Sequence, residues 1–174
     1  MKRAALIACL FVLTGTAFAE APPATGGPIV SQAERDVIAA RVRAGASCAR
    51  CDLFQIDLAY QSVAGRDFSG ARIRQSDLSL ATADRARFHG ANLSLANMFG
   101  ARLSGADLTD ANLEGATLVG AYLGGARMAG AVLTGANLSG AELNLAHGLN
   151  QSQLNTACGD ATTTLPAGLT IPAC

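Results

Sequence analysis

The sequence predicts an all-β solenoid, and three observations in it point to that class. Written in fives from Cys51, the chain forms nineteen units without an insertion, the last ending at Leu145. Ala opens fourteen of them, a large apolar residue holds the third position of eighteen, and Gly closes eleven. Neither the 3.6-residue period of an amphipathic helix nor the alternation of an ordinary strand accommodates that pattern. Composition agrees. Half of the 174 residues are apolar, yet aromatics are only 5%, Trp is absent and Gly reaches 19. Such a core must be thin and regular.

Charge narrows the function. Charged residues make up 15%, against about 25% in an average soluble domain, and the formal net charge is zero. That balance argues against both a polyanion-binding surface and an acidic mimic of DNA.

The amino terminus reads as an export signal over residues 1–19. Lys2 and Arg3 precede an apolar run at 4–13, and Ala17-Phe18-Ala19 supplies the small-x-small cleavage pattern before Glu20. The apolar run is shorter than the roughly 20 residues that a membrane-spanning helix needs. A lipoprotein box at Leu6-Ile7-Ala8-Cys9 would strand Phe11, Val12 and Leu13 behind the cut, so cleavage is placed after Ala19. It leaves 11 basic and 13 acidic residues, a net of −2. Residues 20–30 then read as a Pro/Gly linker.

Ser31-Gln32-Ala33-Glu34 is a capping-box pattern opening a helix to about Ala44, with Val37, Ile38 and Val42 toward one face. Residues 31–50 are read as this helix and its connection, set over one end of the solenoid. Solenoids need such caps because their terminal coils expose unpaired edges.

The units ANLSL, ANMFG, ARLSG, ADLTD and ANLEG, with their neighbours, resemble the pentapeptide-repeat family, whose units run roughly Ala-(Asp/Asn)-Leu-x-x. The resemblance implies a right-handed quadrilateral β-helix with four units per coil and the third residue pointing inward. Nineteen units make nearly five coils, about 23 Å at the spacing of paired strands. Gly in the fifth position suits a corner that requires φ > 0. Residues twenty apart stack, so Phe68 and Phe88 share a side and fill the space beside Val63 and Ala83. The repeat domain is bounded at 51–149, because Gly148 falls where a core residue should be. Residues 150–174 are read as a carboxy-terminal cap, with a short helix near 150–157.

Four cysteines remain after signal removal, and three pairings are possible. On the solenoid Cys48 and Cys51 lie at its start and Cys158 and Cys174 beyond its end, about 20 Å away. A disulfide needs Cα atoms within about 7 Å, so Cys48 pairs with Cys51 and Cys158 with Cys174. The second bond would pin the tail as a cap. Cys48-Ala49-Arg50-Cys51 also reads as a redox pair, though it follows a helix end. His89 and His147 fall at outward positions, no nucleophile elbow, phosphate loop or metal-ligand cluster appears, and no enzyme activity, cofactor or metal is expected.

Two surface features stand out. Asp67, Arg87, Asp107 and Arg127 stack into a ladder of alternating charge, with Asp52 and Arg72 as a shorter one. Tyr60, Leu80, Phe99 and Val119 place a large apolar group near one corner of successive coils, a candidate interface for self-association or a partner. The expected function is a noncatalytic protein-binding or structural module of the bacterial periplasm, or a secreted one, with no nucleic acid bound and no membrane insertion after signal removal. The alternative is a redox or metal-handling protein using Cys48 and Cys51. Some cytosolic members of the family bind DNA gyrase as acidic dimeric mimics of DNA; the export signal and near-zero charge set this chain apart from them.

Overall fold

The computed structural model describes residues 30–174. The signal segment and most of the linker lie outside the described residues.

Each five-residue unit makes one flat side and one corner. The N–H of the next unit's first residue donates to the third residue's carbonyl, as in Ile56 to Leu53 and Ala96 to Leu93, both 3.1 Å. That closes the turn and puts the fifth residue at φ 55–71° at every corner from Arg50 to Gly140. Four corners return the chain to its starting side. Sixteen parallel bridges accordingly join each second-position residue to the one twenty places on, from Asp52 with Arg72 to Arg127 with His147. Within a unit the second N–H donates to the preceding coil (Arg72 to Cys51, 2.8 Å) and the third to the following one (Ile73 to Asn92, 2.7 Å). The polar backbone is thereby satisfied coil against coil. The sides are named first to fourth from the units starting at Cys51, Ile56, Gln61 and Arg66.

First-position Ala and third-position Leu, Ile, Phe or Met fill the interior and are almost wholly buried. Phe68 and Phe88 stack with ring centroids 5.4 Å apart and planes 10° from parallel. Buried Val63 and Ala83 lie on the preceding side, leaving the width that the rings take. Ser76 replaces the usual first-position Ala, and its hydroxyl donates to the Leu53 carbonyl at 3.0 Å.

Helix α1 spans Gln32–Arg43, with Ser31 and Glu34 forming both halves of a capping box. Ala39 and Val42 are buried and Ile38 packs partly against the core. Val37 is 62% exposed, contrary to its expected place on that face. One helical step of about 100° rotates it away, and Ala39 completes the contact instead. Arg43 Nε donates to the Asp57 carbonyl at 3.3 Å, and an Arg66 guanidinium N–H donates to the Val42 carbonyl at 2.6 Å. These bonds tie the helix end to the first coil.

At the other end the wrap continues with insertions rather than stopping. Asn137 pairs with Cys158 and Glu142 with Thr164, offsets of 21 and 22 residues. Helix α2, Gln151–Leu154, is shorter than expected. It stands where the first side would continue, and Gln153 Nε2 caps the edge by donating to the carbonyls of Met128 and Ala131 at 2.9 and 2.8 Å. Gly148 has a steric reason beyond its missing core side chain. A Cβ there would sit 2.8 Å from the Cβ of Ala129.

The packing sets two expected outcomes. Leu103→Ala removes a fully buried centre and should cost about 2–5 kcal/mol in chemical denaturation. Ala83→Leu should also destabilise, because the stacked rings already fill that level; a stabilised variant would contradict the arrangement.

Candidate binding face

Cys48 and Cys51 are bonded to each other, Cα atoms 5.5 Å apart, and Cys158 is bonded to Cys174 at 4.7 Å. The backbone N–H of Cys48 also donates to the Asp67 carbonyl at 2.8 Å, and the Cys51 carbonyl accepts from Arg72. Both ends of the first link are therefore anchored independently of it. The pair lines a cavity of about 170 Å³ together with Ile38, Arg41, Val42 and Ser47. Among the described residues, no three of His, Cys, Asp or Glu gather as metal ligands would. His89 and His147 are exposed.

The charge ladder has the expected register, since Asp67, Arg87, Asp107 and Arg127 are bridged in succession. Ion-pair contact is more sparing. Arg87 reaches Asp67 at 4.0 Å and Arg72 reaches Asp52 at 3.5 Å, whereas among the described residues neither Arg87 nor Arg127 pairs with Asp107. The carboxylates serve the corners first. Asp67 accepts the Ser69 N–H at 2.9 Å and Asp107 accepts that of Thr109 at 3.1 Å. A closer pair, Arg102 with Asp84 at 2.6 Å, lies on the third side. It joins a second position to a fourth, which a search down one column overlooks.

The apolar stripe runs along the second side and its far corner. Tyr60 is 76% exposed, Phe99 49% and Leu80 44%, while Val119 is only partly exposed. Neither cap covers it. Leu95, Tyr122, Val132 and Leu145 are also exposed but lie on other sides or corners.

Backbone geometry marks two corners of this stripe as strained, and the exposed Leu95 corner at the near edge of the same side shares that strain. Tyr60 has φ 61° and Leu80 φ 55°, left-handed values at corners where Gly serves in later coils. Left-handed backbone costs a residue with a side chain about 1–2 kcal/mol, and folding alone would favour Gly there. Leu80 also depends on the next coil, because a Cβ on Gly100 would meet its Cδ2 at 2.7 Å. The bulk is kept outside the core, against local preference.

On the same side Asp57 stacks on Asp77 with no Arg in the column, whereas Arg alternates with Asp on the fourth side and begins to do so on the first. Asn97 donates to Asp77 at 3.2 Å. Above the fifth coil this side ends at Asp160. Its carboxylate accepts from the Thr162 hydroxyl (2.6 Å), the Thr162 N–H (2.9 Å), the Gly140 N–H (3.0 Å) and the Thr163 hydroxyl (3.3 Å). Those donors, the Thr162 hydroxyl foremost, hold the carboxyl below its usual range.

The sequence matches the family model for pentapeptide repeats in eight copies, over residues 67–100, 96–131 and 111–147. The fold is similar to that of a pentapeptide repeat protein from the Arabidopsis thaliana thylakoid lumen, with 28% identity and a TM-score of 0.56 over 80% of this chain and 90% of that one. A pentapeptide repeat protein involved in heterocyst differentiation regulation, from the cyanobacterium Nostoc sp. strain PCC 7120, shows 28% identity and a TM-score of 0.40, covering 76% and 61%. QnrB1, a plasmid-mediated fluoroquinolone resistance protein, shows 21% identity and a TM-score of 0.30, covering 65% and 70%. No curated protein matches the sequence.

Two measurements check the face and its upper end. Leu80→Gly should be more stable than Leu80→Ala by about 1 kcal/mol, because both remove the same side chain and only Ala keeps the left-handed penalty. Equal stability would show the corner to be unstrained. The depressed Asp160 carboxyl stabilises the cap fully above its unfolded value, about 3.9, and loses that contribution as pH falls through the lower folded value. Thermal unfolding of wild type and Asp160→Asn should therefore differ at pH 6 and converge near pH 2.

Proposed function

The chain belongs to the pentapeptide-repeat family and has its right-handed β-helix, and we propose that it works as a noncatalytic exported module, binding protein through its second side in the periplasm. One observation carries this reading: Tyr60 and Leu80 hold exposed apolar bulk on left-handed backbone, continued by Phe99. Strained backbone tends to mark function when folding itself has a less strained option, and contiguous exposed apolar surface marks interaction sites. Flat solenoid sides also lack the deep cleft that catalysis normally needs to exclude water.

Export is supported from two directions. The amino-terminal 19 residues have the pattern of a cleaved signal, and two disulfides suit an oxidising compartment. The structural neighbour from Arabidopsis thaliana comes from the thylakoid lumen.

A second reading has its own observation. The Cys48–Cys51 bond lines a cavity beside Arg41, and a nearby cation favours the thiolate needed for disulfide exchange. Titration of thiols with and without reductant separates the two readings. An inert disulfide in the native protein supports a binding module, whereas a readily reduced pair with acidic thiols supports the redox alternative.

The decisive experiment is crosslinking in intact cells followed by identification of captured proteins, comparing wild type with Leu80→Gly combined with Phe99→Ser. Capture from the periplasm is expected to fall at least tenfold in the variant while the fold is retained. Equal capture would move the binding surface elsewhere, and recovery of the chain from the cytoplasm with residues 1–19 intact would end the export reading.

A further inference from the structure

Resting on the second side as the binding face, we propose that its occupant is a second copy of this chain, docked antiparallel about a twofold axis through the third coil. The register of twenty makes the arrangement checkable residue by residue. A half-turn about an axis perpendicular to the rod exchanges the first coil with the fifth and the second with the fourth. Phe99 then meets Phe99, Leu80 meets Gly120 with Val119 next to it, and Tyr60 meets Gly140 with Ser139 next to it. Asp77 comes opposite Thr117 and Asp57 opposite Asn137, in the columns that the bridges define. Apolar groups face apolar groups at the centre, and each unpaired carboxylate faces an uncharged donor.

The same operation fails on other sides. On the third it sets Arg102 against itself; on the fourth it sets Arg87 against Arg127 and Asp107 against itself. On the first it presses Asp52 onto Val132. A parallel dimer with its axis along the second-position column is disfavoured too, because Asp57 and Asp77 would each meet their own copies. Like charges directly opposed are destabilising. The antiparallel pairing of the second side avoids them without setting a charge against an apolar group in that column, as the first side does with Asp52 and Val132.

The rod ends add an independent argument. Arg43 is held at the lower end of this side by its bond to the Asp57 carbonyl, and Asp160 at the upper end by its bond from Gly140 N–H. Each lies about one coil beyond the repeats. The half-turn brings Arg43 of each copy toward Asp160 of the other, forming two symmetric ion pairs. The charge along the rod has the matching polarity. Residues 30–100 carry nine Arg and seven acidic residues, whereas residues 101–174 carry two Arg and five acidic residues. Antiparallel docking lays the positive half of one copy beside the negative half of the other, an isologous and therefore closed contact.

Sedimentation of the mature chain across a concentration series tests the proposal. A rise to twice the chain mass is expected, with Phe99→Ser combined with Val119→Ser remaining at single mass and unchanged in circular dichroism. Orientation is read by mixing a Leu80→Cys chain with a Val119→Cys chain and adding a short bismaleimide. The mixed pair should crosslink at least fivefold faster than two Leu80→Cys chains. A chain that stays monomeric at several hundred micromolar, or crosslinks fastest between two Leu80→Cys copies, overturns the proposal. If a monomeric wild type captures a periplasmic protein and Phe99→Ser does not, the binding face stands and only its occupant changes. If neither association depends on Phe99, both readings fall.

Discussion

Pairing of backbone groups between coils at a spacing of twenty residues is the constraint from which the other features descend. Each coil donates upward from its third-position residues and downward from its second-position residues, with contacts near 2.7–3.0 Å throughout the middle of the rod. A single inserted residue within a coil would shift every later side chain off its column. The core therefore sees the same kind of residue at each level, and Ala with Leu suffices where a conventional domain would need varied shapes. The tail shows how far the constraint relaxes. Offsets of 21 and 22 appear once the closing coil no longer has another coil above it, and the slack is held by α2, the Asp160 turn and the Cys158–Cys174 bond.

Because the inward positions are so uniform, the outward ones are nearly free of folding duty. The corners are the exception. All corners from Arg50 to Gly140 take positive φ, yet eight of them carry a residue other than Gly. Stacking explains how the larger ones fit: Leu80 extends over Gly100 and Leu95 over Gly115, each within 2.7 Å of where a Cβ would stand. Each of these two Leu corners thus depends on Gly in the next coil, whereas Tyr60 is followed by Leu80 at the same corner. At the Leu corners the penalty and the clearance above it are coupled, so each constrains two coils rather than one.

Much of this was legible in the sequence for a physical reason. A period of five has few competing interpretations, and it determines inside and outside for ninety-five consecutive residues. The helix start at Ser31, the pairing register and the ladder columns all follow from local chemistry or from counting by twenty. What was hidden depends on torsions and on contacts between columns. Ion pairing within the ladder is selective because Asp67 and Asp107 first accept backbone N–H groups, a competition that column counting ignores. Arg102 with Asp84 crosses between positions. Val37 turns outward because Ala39, too small to attract notice as a core residue, fits the helix–coil gap better. The partial coverage of Val119 required the neighbouring side chains to be seen.

The second side also shows how a regular protein can carry information. In an irregular domain, an exposed Leu on the surface says little, since many local pressures could have placed it there. Here the repeat supplies its own reference at every level: the same corner is Gly in the third, fourth and fifth coils of this side. Tyr60 and Leu80 depart from that reference in the direction that costs backbone energy and exposes apolar area. The adjoining column departs as well, stacking Asp57 on Asp77 where the fourth side alternates charge. Two departures from local preference on one flat surface, one apolar and one electrostatic, are difficult to attribute to folding, because both make the isolated rod less stable. They become consistent with each other once a facing surface supplies apolar contact at the centre and uncharged or positive groups toward the ends.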